Sequence, residues 1–182
     1  MTTFVRRLVG AAALDPSVYE EVEADQGATA QALAVVLLSA AAAGIGAREL
    51  GDNSPASVAL FSTIALLGWV GWAWVTYEIG VRLLPEPQTK SDVGELMRTI
   101  GFATAPGLLR VAALLPGARL PVFAITSVWM LLAMIVAVRQ ALDYTSTARA
   151  VGVCAMGWVL SLAFAFVLGL LFGPSVESLQ VE

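Results

Sequence analysis

Residues 99–142, TIGFATAPGLLRVAALLPGARLPVFAITSVWMLLAMIVAVRQAL, contain two apolar runs separated by the five residues PGARL. The Pro-Gly pair that opens this connection is typical of tight turns. Helices joined by so few residues are antiparallel neighbours. The two runs cover 99–115 and 121–142, and a helix needs about 17–25 mostly apolar residues to cross a bilayer. This stretch therefore predicts two membrane spans that pack side by side.

The whole chain shares this apolar character. It has 182 residues, of which 58% are hydrophobic and 13% charged, and its mean hydropathy is +0.81. Soluble domains carry about 25% charged residues, roughly twice as many. Three more apolar runs have spanning length, at 30–47, 58–84 and 150–172. We therefore expect an all-α integral membrane bundle of five transmembrane helices in residues 30–173, followed by a short tail, 174–182.

Residues 1–29 are expected to form an amphipathic and acidic cytoplasmic segment. Five apolar residues share one face at helical spacing: Phe4, Val5, Leu8, Val9 and Ala12. This pattern is typical of a helix that lies in the membrane interface. Arg6-Arg7 before LVGAAAL also resembles a secretory signal peptide, but an apolar stretch of seven residues is at the lower limit for such signals. Asp15 and Pro16 form an N-cap pair that predicts a second short helix.

The distribution of lysine and arginine predicts the orientation. Seven of these residues fall on the side that holds the N-terminus: Arg6, Arg7, Arg82, Lys90, Arg98, Arg139 and Arg149. Only Arg48 and Arg119 fall on the opposite side. Because cytoplasmic segments carry the excess of basic residues, we expect the N-terminus inside and the C-terminus outside.

The rare residue types exclude several functions. The chain has no histidine and a single cysteine, Cys154, so neither a Cys/His metal cluster nor an internal disulfide is expected. Its net charge is -4 and it has no dense basic run, which argues against nucleic-acid binding. No nucleophile–base pair occurs at membrane depth, so neither an enzyme nor a cofactor is expected.

Arg110 is the charge placed deepest in a predicted span. It precedes the outer end of its span by five residues, or about 8 Å at the α-helical rise, and its side chain leans deeper still. Four hydroxyl residues lie at a similar depth: Thr126, Ser127, Ser62 and Thr63. These residues predict an intramembrane polar layer. It either fixes helix register or binds an anionic headgroup or solute.

Two further features lie in the second and third spans. Glu78 follows Val58 by 20 residues, about 30 Å of helix, which places it near the inner boundary with Arg82 one turn further. The pair is predicted to be an interfacial ion pair, with a functional carboxylate at an inner cavity as the alternative. Pro106 removes a backbone hydrogen bond inside the third span and predicts a helix kink.

The third span also carries a family resemblance. LMRTIGFATAPGLLRVAALLPG, with Gly101, Phe102, Ala103 and Pro106, resembles the aromatic-Ala…Pro element of the Yip family of Ypt/Rab-interacting five-span membrane proteins. RRLVGAAALDPSVYEEVEAD before the first span resembles the bacterial branch of that family. The resemblance implies a non-enzymatic integral membrane protein, and its bacterial branch implies the cytoplasmic (inner) membrane.

Two classes of function follow. The first is a scaffold or interaction partner for membrane proteins or lipids, including a homo-oligomer. The second is a small solute or ion transporter or channel that uses the polar layer around Arg110. Eukaryotic members carry a long cytosolic arm and an Asp-Leu-Tyr-Gly-Pro-like stretch. This sequence has neither, which argues against a Rab-type GTPase as its partner.

Overall fold

The structure, a computed structural model, describes residues 2–47 and 55–172. These residues form helices and turns without a strand, which confirms the all-α prediction. The α-helices are α1 (Thr3–Ala12), α2 (Pro16–Ala24), α3 (Ala28–Gly46), α4 (Pro55–Tyr77), α5 (Val93–Ala103), α6 (Arg119–Ala141) and α7 (Thr147–Phe172). A π-helical segment, Glu78–Leu83, continues α4, and a 3₁₀ helix, Ala105–Leu114, follows α5.

Three helical stretches of the described chain are long and apolar enough to cross a membrane. They are Ala28–Gly46, Ser62–Leu83 and Arg119–Ala141. The described part of α7 adds a shorter apolar stretch, Thr147–Ala163. The predicted tail at 174–182 lies outside the described residues.

The structure corrects the predicted kink at Pro106. Residues 99–115 are not one bent α-helix, because α5 ends at Ala103 and Pro106 lies in the first turn of the 3₁₀ helix. Proline cannot donate the i→i−4 bond that would continue α5. The next residue, Gly107, donates its N–H to the carbonyl of Thr104 at 2.8 Å, which is the shorter 3₁₀ pattern.

The 3₁₀ geometry lengthens this short apolar run. A 3₁₀ helix rises about 2.0 Å per residue against about 1.5 Å in an α-helix. The 11 residues of α5 and the 10 residues of the 3₁₀ helix therefore extend over about 36 Å. The combined element is long enough to accompany α3 from end to end.

Glycines let this element run parallel to α3 in close contact. A Cβ added to Gly101 would lie 2.7 Å from the Cβ of Ala32, near the start of α3. At the far end of α3, a Cβ on Gly46 would overlap the backbone carbonyl of Arg110. Small residues allow neighbouring membrane helices to approach in this way.

The short helix α1 packs against the bundle with part of its predicted apolar face. The Phe4 ring lies 6.5 Å from that of Phe102, and the indole N–H of Trp129 donates to the carbonyl of Ala12 at 2.7 Å. Val5 and Val9, on the same predicted face, are exposed. An apolar face can contact either lipid or protein. In α1 the part with Phe4 contacts the bundle, and the part with Val5 and Val9 is exposed.

Candidate functional site

One end of the bundle carries a polar cap, which consists of α2, residues 84–92 and residues 142–146. Glu86 Oε2 accepts hydrogen bonds from the N–H and hydroxyl of Thr145 at 3.0 and 2.8 Å. The side chain of Gln88 donates to the carbonyl of Asp143 at 2.9 Å. These bonds join the α4–α5 connection to the α6–α7 turn, so the two segments form one surface.

Tyr144 attaches this surface to the π-helical end of α4. Its hydroxyl lies 2.9 Å from the carbonyl oxygen of Gly80 and 2.8 Å from that of Leu84. A π-helix uses i→i+5 bonds, which leaves carbonyls near its end open to other donors. The Leu142 side chain lies directly against Gly80, where an added Cβ would force that side chain to move.

Arg98 holds α2 onto the bundle. Its side chain is buried, and its Nε donates to the carbonyls of Val22 and Glu23 at 3.1 and 3.0 Å. A cation at the carbonyl end of a helix is favoured by the helix dipole. In the sequence Arg98 was counted only as an inner-side charge, and its contact with a segment about 75 residues earlier had no local signal.

An acidic cavity of about 770 Å³ opens in the polar cap. Its charged lining consists of Glu20, Glu23, Glu95, Asp143 and Arg139. Burial raises the pKa of Glu23 to about 7, and repulsion from Glu95 and Asp143 adds to this rise. The carboxylates therefore repel one another, and a cationic group in the cavity would relieve that repulsion.

A second charged cluster joins α1 to α2. The buried Arg7 forms ion pairs with Glu21 and Asp25, both at 2.8 Å. Hydrogen bonds from Arg6 and then Arg7 lower the pKa of Glu21, and the bond from Arg7 lowers that of Asp25. This cluster fixes α1 beside the cap.

The polar layer predicted around Arg110 is only partly assembled. Arg110 Nε donates to Thr126 Oγ1 at 3.2 Å and Nη2 donates to Ser127 Oγ at 3.0 Å. Its guanidinium carbon lies 5.2 Å from the centre of the Phe123 ring. Thr63 instead donates to the carbonyl of Ala59 on its own helix at 2.8 Å. Ser62 is half-buried, and no described hydrogen bond joins it to Arg110.

Two other hydroxyl residues lie beside Arg110. A cavity of about 230 Å³ is lined mainly by Arg110, Ser39, Thr104, Trp69, Trp72 and Met134, together with alanines of α3 and α4. Ser39 is buried, and it is the one polar residue between Gln31 and Arg48. That isolation in an apolar run was the available sequence signal.

Glu78 and Arg82 lie at the cap end of α4. Arg82 Nη1 is 3.0 Å from Glu78 Oε2, and the Arg82 side chain is 65% exposed. The Arg82 guanidinium also lies 6.0 Å from the centre of the Tyr77 ring. The pair therefore sits within the π-helical segment, on the part of α4 that carries the cap.

A family model for the Yip1 domain matches residues 12–169. The chain belongs to the Yip1 domain family. The match confirms the family resemblance, and the polar cap and the Arg110 cavity both lie within the Yip1 domain. Searches of curated proteins and of solved structures found no match.

The raised pKa of Glu23 predicts a pH-dependent stability of this Yip1 domain. Glu23 keeps its proton to about pH 7 in the folded chain but loses it near its ordinary value of 4.5 when unfolded. The contribution of Glu23 to the free energy of unfolding therefore falls as pH rises from about 4.5 to 7. After discounting for solvent screening, we expect Glu23→Gln to add about 1 kcal/mol at pH 8 and little at pH 4.5. This corresponds to a melting temperature about 2–4 °C higher, measured in one detergent.

Glu86→Gln is the control with the opposite sign. Hydrogen bonds from Thr145 lower the pKa of Glu86, so its contribution is present at pH 8 and disappears on acidification. We expect this variant to lose stability at pH 8. Equal effects of Glu23→Gln at both pH values would contradict the raised pKa of Glu23.

Proposed function

We propose that this Yip1 domain is a non-enzymatic membrane scaffold whose polar cap binds a basic segment of a partner membrane protein. The acidic cavity carries this proposal, because it gathers four carboxylates around one arginine, and burial together with repulsion from Glu95 and Asp143 raises the pKa of Glu23. Its volume of about 770 Å³ is in the range of ligand-binding pockets, about 300–1,000 Å³. Lysine and arginine side chains are the groups that would best complement its charge.

The expected orientation supports a membrane protein as the partner. Lys90 lies in the cap, and Arg98 and Arg149 lie beside it. All three belong to the seven basic residues assigned to the inner side. Other membrane proteins also place their excess lysine and arginine in cytoplasmic loops. The acidic cavity and the basic loops of such partners would therefore meet on the same side of the membrane.

The proposed setting is the inner membrane of a bacterium, with five spans and the N-terminus in the cytoplasm. In this arrangement α1 lies in the interface, with the exposed Val5 and Val9 toward lipid. Reporter fusions should place residues 1 and 88 inside and residue 182 outside. A C-terminus on the cytoplasmic side would rule out five spans.

A scaffold is favoured over a transporter by the packing between the two cavities. On α3, α5 and α6, fully buried apolar residues lie on the cap side of the residues that line the Arg110 cavity: Ala32, Val35, Leu96, Ala137 and Val138. A solute path would have to cross this apolar layer. The arrangement suits binding on one side better than transfer between sides.

A fluorescent hexalysine peptide provides a defined probe for the cavity. We expect it to bind the purified protein in detergent, more weakly at high salt because exposed charges are screened. The double variant Glu20→Gln/Glu23→Gln should bind at least about tenfold more weakly, a loss of about 1.4 kcal/mol. Glu78→Gln, which removes a carboxylate of the π-helical segment, is the matched control and should bind as the wild type does. Equal binding by the double variant would overturn the proposal.

The same variants then identify the partner. Wild-type and double-variant proteins are purified in a mild detergent, and their co-purifying proteins are compared by mass spectrometry. A partner that uses the cavity is enriched with the wild type and reduced with the double variant.

A further inference from the structure

The Arg110 cavity combines a positive charge with hydrogen-bond donors that the described chain does not use. A guanidinium group has five N–H donors. Among the described residues, Thr126 and Ser127 accept two of them. No carboxylate of residues 2–47 and 55–172 forms an ion pair with Arg110, whereas Arg7 pairs with two carboxylates and Arg82 and Arg149 with one each.

Trp72 adds a second unused donor to the lining. Its indole Nε1 is buried without a hydrogen-bond partner in the described structure, whereas Nε1 of the neighbouring Trp69 donates to the carbonyl of Met97 at 2.9 Å. A buried donor without a partner destabilises the folded state. Arg110 therefore offers both charge and donors that no described residue accepts, and the Trp72 residue beside it keeps an N–H without a partner.

We propose that the Arg110 cavity binds a phosphate-type oxyanion, supplied by an anionic phospholipid headgroup or by free phosphate. The planar guanidinium binds phosphate with two parallel hydrogen bonds, and its contacts with Thr126 and Ser127 hold it in place. The volume of about 230 Å³ is below the usual range for pockets that enclose drug-sized ligands, about 300–1,000 Å³. It suits one phosphate group rather than an entire lipid.

The depth of Arg110 also agrees with an anion that enters from the outer surface. Five residues separate it from Leu115, and at the 3₁₀ rise this is about 10 Å rather than the 8 Å of an α-helix. The guanidinium remains partly accessible on the side of Ser127, which is exposed. The site lies in the half of the bundle opposite the polar cap, so it is independent of the proposed scaffold function.

Binding is measured with purified protein in dodecyl maltoside, by native mass spectrometry and by the shift in melting temperature. The probes are phosphatidylglycerol, neutral diacylglycerol and inorganic phosphate. We expect phosphatidylglycerol to bind and to stabilise the protein, whereas diacylglycerol does not. Competition by inorganic phosphate identifies free phosphate as a ligand, and its absence identifies the lipid headgroup.

Two variants test the site in different ways. Arg110→Gln removes the charge, and Ala43→Leu fills the cavity while keeping Arg110. Each should weaken binding at least about tenfold, and Arg110→Lys should restore part of the loss. Arg82→Gln, at the other end of the bundle, is the matched control and should bind as the wild type does.

The proposal is overturned if Arg110→Gln and Ala43→Leu bind as tightly as the wild type, or if Arg82→Gln loses as much binding as they do. The latter result would mean that the lipid acts only through general surface charge. Absence of binding of both phosphatidylglycerol and phosphate to the wild type also overturns it. If Arg110→Gln does not fold, Ala43→Leu decides the question.

Discussion

Replacing Gly101 by valine is expected to destabilise the bundle by about 3 kcal/mol, the upper end of the usual cost of overpacking. The added Cβ would lie 2.7 Å from the Cβ of Ala32 and 3.3 Å from its Cα and carbonyl oxygen. Those neighbours include backbone, which cannot move aside as a flexible side chain would. The melting temperature in detergent should therefore fall by about 6–12 °C.

Gly71→Val is the matched control. Gly71 also lies in a helix, but a Cβ there would have no neighbour within 4 Å. Both variants carry the same change in helix propensity from glycine to a β-branched residue, so their difference isolates the contact between α3 and α5. Equal melting temperatures for the two variants would contradict the close contact between Gly101 and Ala32.

Replacing Arg98 by methionine is expected to cost about 3 kcal/mol and to release α2. The variant keeps an unbranched side chain but removes the charged donor from the carbonyls of Val22 and Glu23. Hydrogen bonds to a charged group contribute about 1.5–3 kcal/mol each, and the two carbonyls at the end of α2 lose their donor together. The melting temperature should fall by about 6–12 °C.

Limited trypsin digestion separates release of α2 from general unfolding. We expect faster cleavage after Arg6 and Arg7, because α1 is held to α2 through Glu21. Arg82→Met, which removes an arginine that is 65% exposed, should leave both the melting temperature and this cleavage rate nearly unchanged. An Arg98→Met protein with wild-type cleavage would show that α2 is held by other contacts.

The outcome at Arg110 shows how far depth counting can predict a membrane site. The structure brings Arg110 into hydrogen-bond distance of Thr126 and Ser127 of α6, which a short turn joins to the 3₁₀ helix. Ser62 and Thr63 were placed by the same count, from the start of the predicted run at 58–84. Depth also does not say which way a helix face points, and Thr63 turns to its own backbone.

The helical class and most helix positions follow from the sequence alone, since every backbone group in a membrane must be bonded within its own segment and apolar runs of spanning length then form helices. Asp15 likewise caps α2 through the N–H of Ser17, as its local pattern predicts. These features depend on residues close together in the chain.

Only the tertiary structure decided how the third apolar run is built and which polar groups meet. Pro106 permits either a kink or a helix end. In the structure α5 ends before it, and the 3₁₀ helix that follows packs closely against α3. The acidic cavity gathers carboxylates from α2, α5 and the α6–α7 turn, and the Arg110 cavity adds Ser39 of α3. Which side chains come together depends on how far each helix is rotated about its axis. That rotation is set by packing between segments distant in sequence. The apolar residues of α3, α4 and α7 are spread almost evenly around each helix, so their pattern does not indicate it.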